Sequence, residues 1–144
     1  MAAHGANTTM ELYAGVQQFY ARQMRLLDAG DARAWADTFC DDGVFGQNVD
    51  VEPLRGREAI RIAAQRRIDQ LAGDKSERRH WLGMLQVGDD SDQSLRTGYY
   101  AFAVGVPPGA GRRVYVSTYA EDLLVQTNGC WQVAHRIVRY DGAG

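Results

Sequence analysis

Residues 94–140 read SLRTGYYAFAVGVPPGAGRRVYVSTYAEDLLVQTNGCWQVAHRIVRY. Three runs in it, Ser94–Val106, Arg113–Val125 and Trp131–Tyr140, are rich in Tyr, Phe, Val and Ile, the residues that suit a pleated, half-buried surface. Two turn signals separate them. Pro107-Pro108-Gly109-Ala110-Gly111 cannot continue a strand and predicts a hairpin loop. Asn128-Gly129 is the pair that tolerates positive φ at both centres of a tight turn. Upstream, His80–Val87 alternates as a further strand, with Gly88-Asp89-Asp90 as the turn that follows it. Four strands joined by hairpins are therefore expected from His80 onward.

The half before them has the helical period. Leu12, Val16, Phe19, Tyr20, Met24 and Leu27 recur at spacings of three and four from about Met10, and Gly30 ends the run. Asp31 is placed to cap a short second helix with Trp35, Thr38 and Phe39 facing inward, stopped by Asp41-Asp42-Gly43. Val44-Phe45-Gly46 predicts a short strand. Leu54-Arg55-Gly56 leads into a third helix, Arg57 to Leu71, with Ile60, Ala63, Ala64 and Ile68 as its stripe. Residues 1–8 are small and polar and read as a frayed N-terminus, which leaves 9–144 as one domain. Three helices on one face of a strongly curved, mainly antiparallel sheet is an α+β solution, a cone-shaped α+β barrel. Its hollow is where a small apolar or aromatic ligand would sit.

Composition narrows the function. The chain has 144 residues and a net charge of −2, with no basic field for a nucleic acid partner. No run reaches the ~20 apolar residues of a membrane helix, and MAAHGANTTM lacks the apolar core of a secretory signal. Cys40 and Cys130, the only cysteines, read as free thiols of a cytoplasmic protein. Three scattered histidines give no metal spacing, and there is no glycine fingerprint for a nucleotide, so no metal or cofactor is expected.

His80 carries the sharpest chemistry. On a regular pleat it shares a face with Leu82 and Met84, and a pocket histidine can take and return a proton near neutral pH. The commoner role of a lone histidine is a rim residue satisfying one hydrogen bond. Asp28 sits in the last turn of the first helix, where the dipole disfavours a carboxylate; beside His80 it would orient the imidazole. Asp41 and Asp42 suit turn chemistry. His135 and Arg136 are neighbours on one strand, so only one of them faces the hollow. The expected apolar wall is Tyr20, Met24, Trp35 and Phe39 from the helices, and Phe45, Met84 and Phe102 from the sheet. At least one of Tyr99, Tyr100, Tyr115 and Tyr119 is expected to reach it.

Leu26-Leu27-Asp28-Ala29-Gly30-Asp31-Ala32-Arg33-Ala34-Trp35, then Phe39-Cys40-Asp41-Asp42-Gly43-Val44-Phe45, Leu54-Arg55-Gly56-Arg57-Glu58-Ala59-Ile60 and Gly129-Cys130-Trp131-Gln132-Val133-Ala134-His135-Arg136 together resemble the SnoaL-like branch of the nuclear-transport-factor-like superfamily. The resemblance spans about Leu12 to Asp141. It implies relatives such as polyketide cyclases, scytalone dehydratase, ketosteroid isomerases and plain binding modules. Asp28 and His80 match the positions of the catalytic Asp and first pocket His of the scytalone dehydratase relatives. The second pocket His has no counterpart in Ser94–Val106, and the tyrosine near the first strand falls close to Phe45. The implied inward register on the last strand is Ala134, Arg136 and Val138, with Thr118 and Ala120 inward on the strand before. The resemblance implies a cofactor-independent cyclase, dehydratase or isomerase for a polyketide-like substrate, acting through His80 and Asp28 with Arg136 on substrate oxygens, or a non-catalytic binding module. A homodimer is expected for either.

Overall fold

A computed structural model describes residues 5–74, 76–91, 93–109 and 111–143. In chain order the elements are α1 (Gly5–Asp28), α2 (Ala32–Ala36), β1 (Phe39–Gln47), β2 (Leu54–Arg55), α3 (Arg57–Leu71), β3 (Glu77–Ser91), β4 (Ser94–Val106), β5 (Arg113–Thr127) and β6 (Cys130–Tyr140). Part of the segment expected to fray, from Gly5 on, is the start of α1; residues 1–4 lie outside the described residues.

The helices pack as their stripes require. Val16, Tyr20, Gln23 and Met24 of α1 are buried, as are Ile60 and Ala64 of α3. Gly30, at φ 76°, ends α1 in a Schellman turn: its N–H bonds the Leu27 carbonyl and the Asp31 N–H bonds that of Leu26. Asp31 then caps α2 through its carboxylate, which accepts from the Ala34 N–H at 3.0 Å.

The six strands form one open sheet in the order β2-β1-β6-β5-β4-β3. All pairs are antiparallel except β1 with β6, which is parallel. The two edges, β2 and β3, do not meet, so the expected barrel is an open sheet covered by helices. Register shifts interrupt the ladders between β3 and β4, β4 and β5, β5 and β6, and β1 and β6. Each such bulge bends a strand and adds twist. Asn128 at φ 53° and Gly129 at φ 79° make the tight β5–β6 turn that their pairing predicted.

Two boundaries differ from expectation. Phe39 is not the end of the second helix; α2 stops at Ala36 and Phe39 opens β1. The Thr38 carbonyl accepts from Val133 N–H of β6, and the Phe39 carbonyl accepts from the Arg57 guanidinium at the start of α3. Tertiary partners thus take the carbonyls that would have continued the helix. The turn expected at Gly88-Asp89-Asp90 is strand, because β3 stays paired with β4 as far as Ser91 opposite Ser94.

The sheet has one covered and one open face. His80 and Leu82 face the helices as expected, opposite Ala103 and Ala101 of β4. The pleat then breaks: Met84 has φ 51°, and the register shifts between Gly83 and Gln86. Met84 consequently points outward, 75% exposed, and Leu85 takes the inner place at 7%. Phe102 is also on the outer face, 39% exposed, opposite Trp81. Neither Met84 nor Phe102 lines the interior. The inward tyrosine of β4 is Tyr99, and Tyr100 lies outside with Tyr119.

Candidate functional site

The end of α1 is brought against β3. Asp28 Oδ1 lies 2.7 Å from His80 Nδ1, and both carboxylate oxygens accept the His80 backbone N–H at 3.1 Å. A carboxylate only accepts, so Nδ1 carries the proton of this contact. Nε2 has no hydrogen-bond partner among the described residues. The grip on ring and backbone together fixes the imidazole plane and offsets the unfavourable place of an acid at a helix C-terminus. The two side chains are 29% and 20% exposed, so the dyad is reachable from outside. On its inner side His80 meets only small side chains on β4, Ala101 and Ala103.

Deeper on the same face lies a second, closed polar group. The register sets Thr97 of β4, Asp122 of β5 and Arg136 of β6 directly across from one another. Arg136 Nε and Nη2 each donate to Asp122 at 2.9 Å. Tyr20 of α1 donates to Asp122 Oδ2 at 2.7 Å, and Tyr99 does so at 3.1 Å. Arg136 also donates to Gln23 Oε1 at 2.6 Å, and Gln23 donates to the Thr38 hydroxyl. The Tyr20 hydroxyl lies 2.6 Å from that of Thr97. Burial, reinforced by the Asp122 charge, holds the Tyr20 phenol far above its ordinary range; burial likewise raises Tyr99. Both hydroxyls are thus committed donors. Burial opposes the charged guanidinium of Arg136, but Asp122 and the two phenols outweigh it and hold it charged.

Of the residues singled out in the sequence, His80 and Asp28 meet. Tyr20, Met24, Trp35 and Phe39 are buried in the interior, and Phe45 packs half-buried against Trp35 and Phe39. Arg136 rather than His135 faces inward, where its Nε and Nη2 are engaged by Asp122 and Gln23. The interior is packed rather than hollow at these residues. Two surface depressions lie elsewhere: about 510 Å³ beside Arg61 and Asp69 of α3, and about 240 Å³ beside Asn48, His135 and Arg139. No group of His, Cys, Asp or Glu among the described residues could hold a metal.

Asp122, Gln23 and Thr97 escaped the sequence reading. The signal for Asp122 was its parity: with Thr118 and Ala120 inward, Asp122 two residues on is inward too. An inward Asp and an inward Arg on adjacent strands should have been paired. Gln23 had no comparable signal, because a polar residue inside a helical stripe reads as surface.

Three helices over one face of an open, bulged, mixed sheet define a domain of the NTF2-like, cystatin-like kind. Within that class, the chain belongs to the SnoaL-like domain family, which it matches over residues 8–137. Aln2 from a Streptomyces species is 31% identical, with a TM-score of 0.82 over 91% of each chain. ActVI-ORFA from Streptomyces coelicolor is 28% identical, with a TM-score of 0.82 over 91% of this chain and 98% of its own. A protein from Catenulispora acidiphila, solved in complex with S-DNPA, is 35% identical, with a TM-score of 0.76 over 92% of this chain and 95% of its own. No curated protein matches the chain.

Proposed function

We propose that this protein is a small, cofactor-independent enzyme of polyketide or aromatic secondary metabolism that cyclises, dehydrates or isomerises its substrate by acid–base chemistry. One observation carries the reading: Asp28 holds His80 by Nδ1 at 2.7 Å and leaves Nε2 unpartnered and reachable. Nε2 removes a proton beside a substrate carbonyl. Asp28 balances the charge of the imidazolium, which returns the proton at another carbon or to a leaving hydroxyl. Membership of the SnoaL-like family supports a small-molecule substrate, and so does the S-DNPA complex of the Catenulispora acidiphila relative. Buried Tyr20, Met24, Trp35 and Phe39, with half-buried Phe45, supply the apolar interior that the substrate displaces or borders.

The test is His80→Ala assayed on aromatic polyketide substrates. We expect turnover to fall about a hundred- to ten-thousand-fold, the usual share of a general acid–base group, with stability held within about 1 kcal/mol. Added imidazole should restore part of the rate. Activity that persists in the presence of a chelator belongs to the same expectation. We further propose a cytoplasmic homodimer; the outward Trp81, Phe102, Tyr100 and Tyr119 support the pairing, and sedimentation checks it.

The packed interior favours a second reading. The hydrogen-bonded Asp122 group occupies the inner face, and two surface depressions lie away from it. On this reading the domain binds a ligand or partner without turning it over. Near-normal turnover in His80→Ala would abandon the dyad as the reacting group, and binding without turnover by the unaltered protein would favour the second reading.

A further inference from the structure

One row outward from the dyad, the inner face changes character. His80, Ala103 and Val116 stand across from one another on β3, β4 and β5. The next inward row is Arg78, Gly105 and Arg113. Two residues of strand separate the rows on β3 and β4, about 7 Å, and three on β5, where the bulge falls. Two guanidiniums therefore flank a residue with no side chain, beside the imidazole.

The gap between them is filled in a specific way. The bulge between Ala103 and Val104 lets the ring of Tyr115 lie over Gly105. A Cβ at Gly105 would stand 2.8 Å from Tyr115 Cε2 and 2.5 Å from the Glu77 carbonyl oxygen, so the arrangement requires glycine there. The Arg78 Cζ sits 3.9 Å from the centre of the Tyr115 ring and the Arg113 Cζ 5.3 Å from it. The Tyr115 hydroxyl donates to Ser76 at 2.9 Å and pins the ring. Two like charges thus share one aromatic ring.

Their charge is only half matched. Arg78 Nη2 donates to Asp74 at 2.7 Å. The Asp74 carboxyl is held below its usual range, first by the Ser76 N–H and also by the charges of Arg78 and Arg113. One carboxylate serves two guanidiniums. Arg78 Nε is buried with no hydrogen-bond partner, and Arg113 is exposed with none among the described residues.

The geometry points to an anion subsite at Arg78 and Arg113 that takes the carboxylate of an aromatic carboxylic acid and sets its ring carbons against His80. This rests on the proposed function only in naming the bound acid as substrate; the subsite is testable without turnover. A planar carboxylate matches the forked donors of a guanidinium. Arg78 stands two residues, about 7 Å, along β3 from His80, which is the length of a fused two-ring skeleton, so an acid held between the two guanidiniums extends its far ring toward Nε2.

The probes are 2-naphthoate and 2-naphthol, which share a ring system and differ in charge. Titration calorimetry on the full chain should show naphthoate binding about tenfold or more tightly than naphthol, with the difference shrinking as salt rises. Arg113→Gln, a change at an exposed side chain, should abolish that preference and leave naphthol binding unchanged. In 15N-labelled protein the Arg78 Nε–H resonance should move with naphthoate and not with naphthol. Equal affinity for the two probes would overturn the proposal, and so would a preference that survives in Arg113→Gln with a still Arg78 resonance. His80→Ala separates the two ideas. If it keeps both turnover and the naphthoate preference, the acid–base reading fails and the subsite stands. If it loses turnover while the wild type shows no preference, the subsite fails alone.

Discussion

Asp28 and Asp122 are both carboxylates that grip a basic side chain on the inner face of the sheet, and they have opposite surroundings. Asp122 is fully buried and accepts from Tyr20, Tyr99 and twice from Arg136. Both of its oxygens accept, and four hydrogen bonds converge on it. Asp28 keeps 20% of its side chain exposed and spends its bonds on one residue, His80, whose second nitrogen stays free. A saturated polar cluster holds structure together; an unsaturated one has a group left to do chemistry. The difference fits a deep row that carries stability and, under the proposed function, a dyad that carries reactivity.

Mutation at the deep row should give the largest effect on folding. Asp122→Ala leaves the Arg136 guanidinium buried without a counter-charge, and we expect a loss of about 3–5 kcal/mol in urea unfolding. A loss below about 1 kcal/mol would erase the contrast with Asp28. On β3, between the two regions, the bulge makes neighbours unequal. Leu85→Ala should cost about 2–4 kcal/mol, and Met84→Ala should stay within about 0.5 kcal/mol. Equal costs would mean that the strand pleats regularly after all and that Met84 lines the interior.

A gentler probe is Tyr20→Phe, which removes one hydroxyl and leaves the ring against Tyr99. Thermal unfolding should report about 1–3 kcal/mol, because Asp122 and Thr97 both lose a buried partner. If turnover fell far more than stability, the deep row would be part of the chemistry. The smallest effect concerns reaction rate alone. Burial, with Asp42 nearby, raises the Cys40 thiol above its ordinary value, so less thiolate is present at a given pH. Iodoacetamide should label exposed Cys130 first, and Cys40 should catch up only as the pH rises past about 9. Cys40 reacting first at neutral pH would show that the β1 edge opens more readily than the core beneath it.

Much of the fold was legible because local and global signals agreed. The helical stripes, Gly30, the capping Asp31 and the Asn128-Gly129 turn each act within a few residues of chain. Phe39 was misplaced because its carbonyl partner, Arg57, and the strand beside it, β6, are remote in sequence. Met84 was misplaced because a bulge has no strong sequence mark; Gly83, an isolated glycine in a strand, was the only hint. The meeting of Asp28 with His80 came from the family resemblance and from the broken dipole rule. The pairing of Asp122 with Arg136 was also within reach, by counting alternate residues on two strands. What no single strand could reveal was that this pair would close the interior.

The parallel seam between β1 and β6 has a consequence for biosynthesis. β6 comes after the other five strands in the chain, yet it lies between β1 and β5, near the middle of the sheet. While the nascent chain still lacks Cys130–Tyr140, both of those strands present bare edges, the sort that pair with a neighbouring chain. Asp122 has no cation opposite it at that stage. The sheet therefore cannot be completed by stepwise addition at the ribosome exit. It closes in one late, long-range event that joins Phe39 to Val133, and the emerging chain depends until then on remaining apart from its fellows.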